Sequence, residues 1–342
     1  MKPPSLVLTA RTLAVAAAGG GLATLAGLPA SWLTGAMLVT AAASIGGWDT
    51  RLPRLLFAVA MVFIGTTLGV GATPDVVARA GSWPVSVLLL LASIVAVQVA
   101  VQFFLVRGMG WDRMTAFFAA IPGAMSYVLV TAAEAGADLR RVAVGQSTRV
   151  FLLVALLPPA ITAVEPHALA VFTPLVAGWG EQAAMLAAGT AGGLLFHFLR
   201  VPAGLLSGSL IASAVLHGTG LVAGTLPGPV VIAIFITLGA FVGSRFVGTS
   251  FAFLRQVGLA ALASFVIALG LAGAFALLSA TLTGVSLPET MVAFAPGGLD
   301  SMTSLALALH MDLAFVSVHQ LARFIGVALV TPIIVRLMRR KR

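Results

Sequence analysis

Long apolar runs separated by short polar or Gly/Pro breaks set the pattern of this chain. In the first half they predict helices near 7–27, 31–47, 55–72, 84–106 and 141–163. In the second they predict helices near 183–199, 203–220, 229–244, 257–279 and 314–336. A helix needs about 20 mainly apolar residues to span a bilayer. The runs do not alternate with the period of two that a β-barrel strand requires. Two further apolar segments are broken at their centres: 113–136 at Pro122-Gly123, and 289–309 at Pro296-Gly297-Gly298. Gly19-Gly20-Gly21 and Gly192-Gly193 fall inside the first span of each half. They read as sites of close helix packing. They are not a phosphate loop, because no strand precedes them and no Gly-Lys-Ser/Thr follows.

The pattern occurs twice. Residues 112–163 align with 286–337 at a constant offset of 174, without a gap. Pro122-Gly123 falls on Pro296-Gly297, Asp138 on Asp312, Gln146 on Gln320, Arg149 on Arg323 and Pro158 on Pro332. Gly65 and Gly69 fall on Gly239 and Gly243 at the same offset, and Pro29 and Gly35 on Pro202 and Gly208 at 173. Coincidences among Ala and Leu carry no weight in such a composition, but Asp, Gln, Arg and Pro are scarce here. The expected organisation is a first membrane repeat at 1–165, a connector at 166–182 and a second repeat at 183–342.

Composition and charge sharpen the reading. Of 342 residues, 60% are apolar and 8% charged, against roughly 25% charged in soluble domains. The apolar share is about 205 residues, enough for roughly ten spans, and the mean hydropathy is +1.11. The net charge of +9 could suggest a nucleic-acid partner, but the bases are scattered between apolar runs, as in membrane loops with a positive cytoplasmic side. The N-terminus resembles a signal peptide, yet Arg11 interrupts it and apolar sequence continues past residue 30, so a retained first span is expected.

Charge also chooses between two topologies. If each broken segment enters the membrane and returns, each half crosses five times and 16 of the 19 Lys+Arg fall on the cytoplasmic side. Arg79 is then outside, and Arg149 and Arg323 are embedded. If the broken segments cross, the bias falls to 11 against 6. The positive-inside rule favours the first. An odd number of crossings per half inverts the second copy, so the two breaks enter from opposite faces, as in many secondary transporters. The expected fold is therefore all-α: a polytopic membrane protein of about ten transmembrane helices plus two broken re-entrant hairpins, in two inverted-topology repeats, secondary-transporter-like. Both termini are expected in the cytoplasm.

Pro296-Gly297-Gly298-Leu299, His319-Gln320-x-x-Arg323 and the duplication resemble the AbrB-duplication family of bacterial integral membrane proteins. The resemblance covers nearly the whole chain and implies the bacterial inner membrane. Family members carry two labels, regulator of gene expression and ammonia monooxygenase. The family is unrelated to the small soluble DNA-binding regulator of the same name. His319 has no counterpart in the first half, where Gly145 stands.

Candidate chemistry gathers at the breaks. Non-helical backbone at membrane depth survives only inside protein or along a wet cavity. The half-helix that follows each break can aim its positive N-terminus at a ligand, or the break can be a tolerated kink. The candidate substrate-binding residues are Pro122, Gly123, Ser126, Tyr127, Gln146, Arg149, Pro296, Gly297, Gly298, Asp300, Ser301, Gln320 and Arg323. Asp300, Glu134 and His319 are candidates for proton or ion coupling. Asp300 can equally cap its helix or pair with Arg323. Arg149 and Arg323 can bind an anion through paired hydrogen bonds, or brace each hairpin by pairing with Glu134 and Asp300. Asp138 and Asp312 read as N-caps. His167, His197, His217 and His310 are scattered and read as interfacial.

Three function classes are open to such a chain. A secondary transporter of a small organic anion or zwitterion fits best, and the lack of a Walker motif excludes direct use of ATP. An oxygenase needs an ordered ligand set, whereas five dispersed histidines and zero cysteines point to no metal, no cofactor and no enzyme. A direct regulator needs a DNA-binding domain, but the longest loop, 164–182, carries two acids and no Lys or Arg. Regulation through the level of a transported metabolite remains the alternative. The expected partners are the lipid bilayer and a small-molecule solute, with no nucleic acid; a homodimer is left open.

Overall fold

The computed structural model describes residues 4–28, 30–71, 83–123, 125–164, 176–199, 201 and 203–339, and only the backbone at 125–127, 130, 134, 164, 300, 328, 332 and 339. The expected 166–182 connector lies mostly outside the described residues, as do Pro29, Arg79, His167 and Pro202. Fourteen α-helices are described. They are α1 (Leu6–Leu25), α2 (Ser31–Ile45), α3 (Arg54–Leu68), α4 (Trp83–Arg107), α5 (Arg113–Ala120), α6 (Met125–Glu134), α7 (Leu139–Val164), α8 (Trp179–Phe198), α9 (Gly204–Gly218), α10 (Gly228–Ser244), α11 (Phe251–Thr283), α12 (Leu287–Phe294), α13 (Leu299–Ala308) and α14 (Leu313–Arg339). The only extended pairing among the described residues is an isolated bridge between Val176 and Thr225.

Local chemistry starts these helices. The hydroxyl of Ser5 accepts from the Leu8 amide at 3.2 Å, and the Asp112 carboxylate from Thr115 at 2.9 Å. Ser286 and Glu289 form a reciprocal cap at α12. Each such cap satisfies amides that have no partner within the helix. Asp138 accepts from the amides of Arg140 and Arg141, and Asp312 from that of Phe315. Both are N-caps, at α7 and α14. Ala30 and Ala203 both take left-handed φ, 50° and 52°, before α2 and α9.

Helices α1, α4, α7, α11 and α14 are long and apolar enough to cross a membrane. The apolar helices α2, α3, α9 and α10 have 15, 15, 15 and 17 residues. At 1.5 Å per residue they extend about 22–26 Å, short of the ~30 Å hydrocarbon thickness of a straight crossing.

The helices form two compact units that cut across the halves of the sequence. The first holds α1–α3 and α8–α10. Here the duplicated glycines explain the packing. A Cβ at Gly19 or Gly35 would overlap the other's carbonyl oxygen, drawing α1 against α2, and Gly192 and Gly208 do the same for α8 and α9. Gly65 on α3 lies against α9, where a Cβ would meet Leu206 O at 2.5 Å. Its counterpart Gly239 on α10 lies against α2, where a Cβ would meet Leu33 O at 2.6 Å. Each half thus packs its third helix on the second helix of the other half, through glycines that allow backbones to touch.

The second unit holds α4, α5, α6, the first part of α7, α11, α12 and the later part of α14. Its core joins Val97, Val101 and Leu105 of α4 to Phe117 and Phe118 of α5, Val257 of α11 and Val327 of α14. Both breaks, Pro122-Gly123 and Pro296-Gly297-Gly298, lie in it.

Candidate functional site

Proline decides where the two short helices stop. It has no amide to donate and forces the residue before it out of the helical region. Ile121 before Pro122 has φ −56° and ψ 123°, and Ala295 before Pro296 has φ −52° and ψ 131°. The breaks are thus the same turn built twice. Of the three break glycines, Gly123 alone has positive φ, at 80°. Gly297 and Gly298 do not. At Gly297 a Cβ would instead strike the Met302 side chain at 2.7 Å.

The breaks meet. A Cβ on Gly123 would stand 3.0 Å from Gly297 O and 3.9 Å from Nε and Nη2 of Arg323. Pro122 and Pro296 are buried there as well.

A helix that ends inside an apolar core leaves its last carbonyls without partners, and no water is at hand to satisfy them. The Gln/Arg pairs supply the donors. On α7, Gln146 Nε2 donates to Phe118 O at 2.9 Å. Arg149 Nη2 donates to Ile121 O at 2.7 Å, and its Nη1 to Ala120 O and Ala119 O at 3.4 and 3.5 Å. On α14, Gln320 Nε2 donates to Val292 O and Ala293 O at 2.9 and 3.1 Å. Arg323 Nη1 donates to Ala295 O, and its Nη2 to Gly297 O at 2.6 Å and to Gln320 Oε1. Phe118 and Val292 correspond at the 174 offset, as do Ile121 and Ala295, so the duplication extends to individual hydrogen bonds. Each guanidinium also sits at the negative end of a helix dipole, where a cation is favoured.

Backbone carbonyls therefore occupy these arginines, a partner the sequence reading did not consider. It offered substrate or carboxylates. Glu134 and Asp300, the carboxylates in question, have side chains outside the described residues, as do Ser126 and Tyr127. Arg51–Asp49 and Arg141–Asp138 form ion pairs. Arg149 and Arg323 are both buried. Ser301, in the first turn of α13, is buried and its hydroxyl has no hydrogen-bond partner.

His319 is fully buried, stacked on Phe294 at 6.1 Å between ring centroids. Its Nε2 lies 2.7 Å from Ser86 Oγ, which is itself 2.8 Å from Trp83 O.

Sequence reasoning missed two members of this site. Gln98 of α4 donates to Phe117 O at 3.1 Å, extending the row of capped carbonyls back by one. Ser86 fixes His319. The available signal was a polar side chain inside an apolar run. His217, expected at an interface, is buried in the first unit, with Nδ1 2.8 Å from Ser213 O and Nε2 3.0 Å from Gly224 O. No cluster of three metal-ligating side chains occurs among the described residues.

Comparison with known proteins places the chain. Two curated relatives cover it nearly end to end. An "Uncharacterized protein YhjN" of Bacillus subtilis (strain 168) is 28% identical over 95% of this chain and 92% of its own length. A "Putative regulator AbrB" of Escherichia coli (strain K12) is 27% identical over 90% of each. No solved structure matches. A family model described as "Transition state regulatory protein AbrB" matches residues 1–73 and 67–339. With an all-helical fold, several helices apolar enough for a membrane, and a family match that reaches from one end to the other, the chain belongs to the AbrB-duplication family.

Proposed function

We propose that this protein is a secondary transporter of a small organic anion or zwitterion, embedded in the bacterial inner membrane with both termini in the cytoplasm. About ten crossings and two re-entrant hairpins, in two inverted repeats, are the topology that the distribution of Lys and Arg favours. One observation carries the reading: two proline breaks at equivalent positions come together, each held open by a buried Gln/Arg pair. A mere kink needs no second copy, and no guanidinium held against bare carbonyls. Paired broken helices at the midplane are how transporters present half-helix amides to a solute. On this reading the amino ends of α6 and α13, with Ser126, Tyr127 and Ser301, line the solute site. Asp300, Glu134 and His319 are the groups available for proton or ion coupling. No catalytic role is assigned to any residue.

A second reading has one observation in its favour, the word regulator in the name of the Escherichia coli relative. Control of expression by this chain would then be indirect, through the level of the solute moved.

The test uses the full chain in proteoliposomes. Acetate, pyruvate, succinate, glutamate and alanine are applied in turn while charge movement and counterflow of the labelled solute are recorded. The transporter reading expects saturable movement of at least one. Folded protein that moves none of them, nor any member of a wider panel of organic anions, contradicts it.

A further inference from the structure

The duplicated hydrogen bonds hide an inequality between the arginines. Arg323 is committed: Nη1 is on Ala295 O, and Nη2 is shared between Gly297 O and Gln320 Oε1. Arg149 is loosely held. One of its bonds is short, Nη2 to Ile121 O at 2.7 Å, and the two from Nη1 are at 3.4 and 3.5 Å. Its Nε is enclosed and has no hydrogen-bond partner, although the residue is only 4% exposed. A buried donor on a charged group is rarely left unfilled in a native protein.

Charge points the same way. The negative ends of α5 and α12 and the positive ends of α6 and α13 offset each other across the breaks. Two neighbouring guanidiniums then leave a net positive field where water is excluded. The segment after Arg323's break contributes Asp300 as its second helical residue. The segment after Arg149's break, Met125–Glu134, has no acid before its last residue. An anion held at the breaks would offset that field.

We infer that Arg149 is the residue that binds the solute's carboxylate, through Nε–H and an adjacent Nη–H, and that Arg323 is a structural brace for the second break. The inference rests on the transporter reading and assigns its anion to one side. A carboxylate matches the fork of two parallel N–H groups. A phosphoryl group, with three oxygens to satisfy, would need more donors than the single free Nε–H and what the Nη groups can spare.

The experiment is thermal unfolding of the purified full chain with sodium acetate, pyruvate, succinate or glutamate, and with phosphate and chloride as controls. Wild type, Arg149→Lys and Arg323→Lys are compared. At about a hundred times Kd the effective carboxylate should raise the wild-type midpoint by roughly 5 °C. Arg149→Lys should lose that rise, whatever its ligand-free midpoint, because lysine retains the charge but not the fork. Arg323→Lys should unfold earlier without ligand and still respond. Retention of the full response by Arg149→Lys, or a response to phosphate and not to carboxylates, overturns the inference. If Arg149→Lys does not fold, wild-type protein is modified with phenylglyoxal and mapped by mass spectrometry. Carboxylate should protect Arg149, and modification of Arg149 that carboxylate leaves unchanged overturns the inference. Transport measured in parallel separates the two claims: wild type that moves no carboxylate removes the transporter reading, whereas carboxylate transport unaffected by Arg149→Lys removes only this assignment.

Discussion

Gly65 and Gly239 offer a quantitative test of the exchanged packing in the first unit. Replacing Gly65 by Ala places a methyl carbon 2.5 Å from Leu206 O and 2.8 Å from Ser209 Cβ. At Gly239 the distances are 2.6 Å to Leu33 O and 2.8 Å to Ala36 Cβ. Ordinary contacts begin near 3.4 Å, so α3 must move from α9, and α10 from α2, by roughly 0.6–0.9 Å. A gap of that size forfeits a quarter to a half of each dispersion contact along the seam, and overpacking of this kind costs about 1–3 kcal/mol. Removing a helical glycine returns about 1 kcal/mol. Gly21→Ala is the control, because nothing lies within 4 Å of its added Cβ and only the propensity gain applies. Each packed-site variant should therefore fall about 1–3 kcal/mol below Gly21→Ala. The double variant should fall by nearly the sum, since the two contacts involve different helix pairs. Reversible unfolding of the full chain in mixed detergent micelles gives these differences. If Gly65→Ala and Gly239→Ala are as stable as Gly21→Ala, the crosswise helix packing is wrong.

Other consequences are more local. Asp138→Ala removes the cap of α7 and the 3.3 Å pair with Arg141, and should cost about 1 kcal/mol, read as faster amide exchange confined to the first turn of α7. Ser86→Ala should lower stability by about 1 kcal/mol and leave the pH profile of transport unchanged if His319 is a packing residue; a displaced profile would put His319 on a proton path. Hydrogen bonding by Arg51, on both carboxylate oxygens, lowers the pKa of Asp49 from 3.8 to about 2. A depressed acid contributes its stability above the unfolded value and loses it as pH falls through the folded one. Exchange in the loop 46–53 should therefore rise between pH 4 and pH 2, and Asp49→Asn should abolish that dependence.

Much of this architecture was legible because the chain states it twice. The breaks, the caps Asp138 and Asp312, and the glycine pairs all followed from scarce residues at one offset. The offset shows which residues correspond and not which touch, so the distribution of both halves into each compact unit could not be read. The use of Gln146, Arg149, Gln320 and Arg323 was also hidden. A guanidinium in an apolar run suggests an anion, and only the geometry reveals that a helix ending at a buried proline offers a row of bare carbonyls closer at hand. Helices α2, α3, α9 and α10 were expected as crossings, yet their apolar runs end in Gly- and Pro-containing turns that stop them at 15–17 residues.

The central claim is that the two meeting breaks enter the membrane from opposite faces. The chain has no cysteine, so single replacements at Met109 and Thr283, which correspond at the 174 offset just before each broken segment, report without background. A membrane-impermeant maleimide is applied to intact spheroplasts and then to opened membranes. Thr283→Cys should react in both, and Met109→Cys only after opening. Reaction of both positions from the same side would contradict the inverted pair of breaks and, with it, the site proposed here.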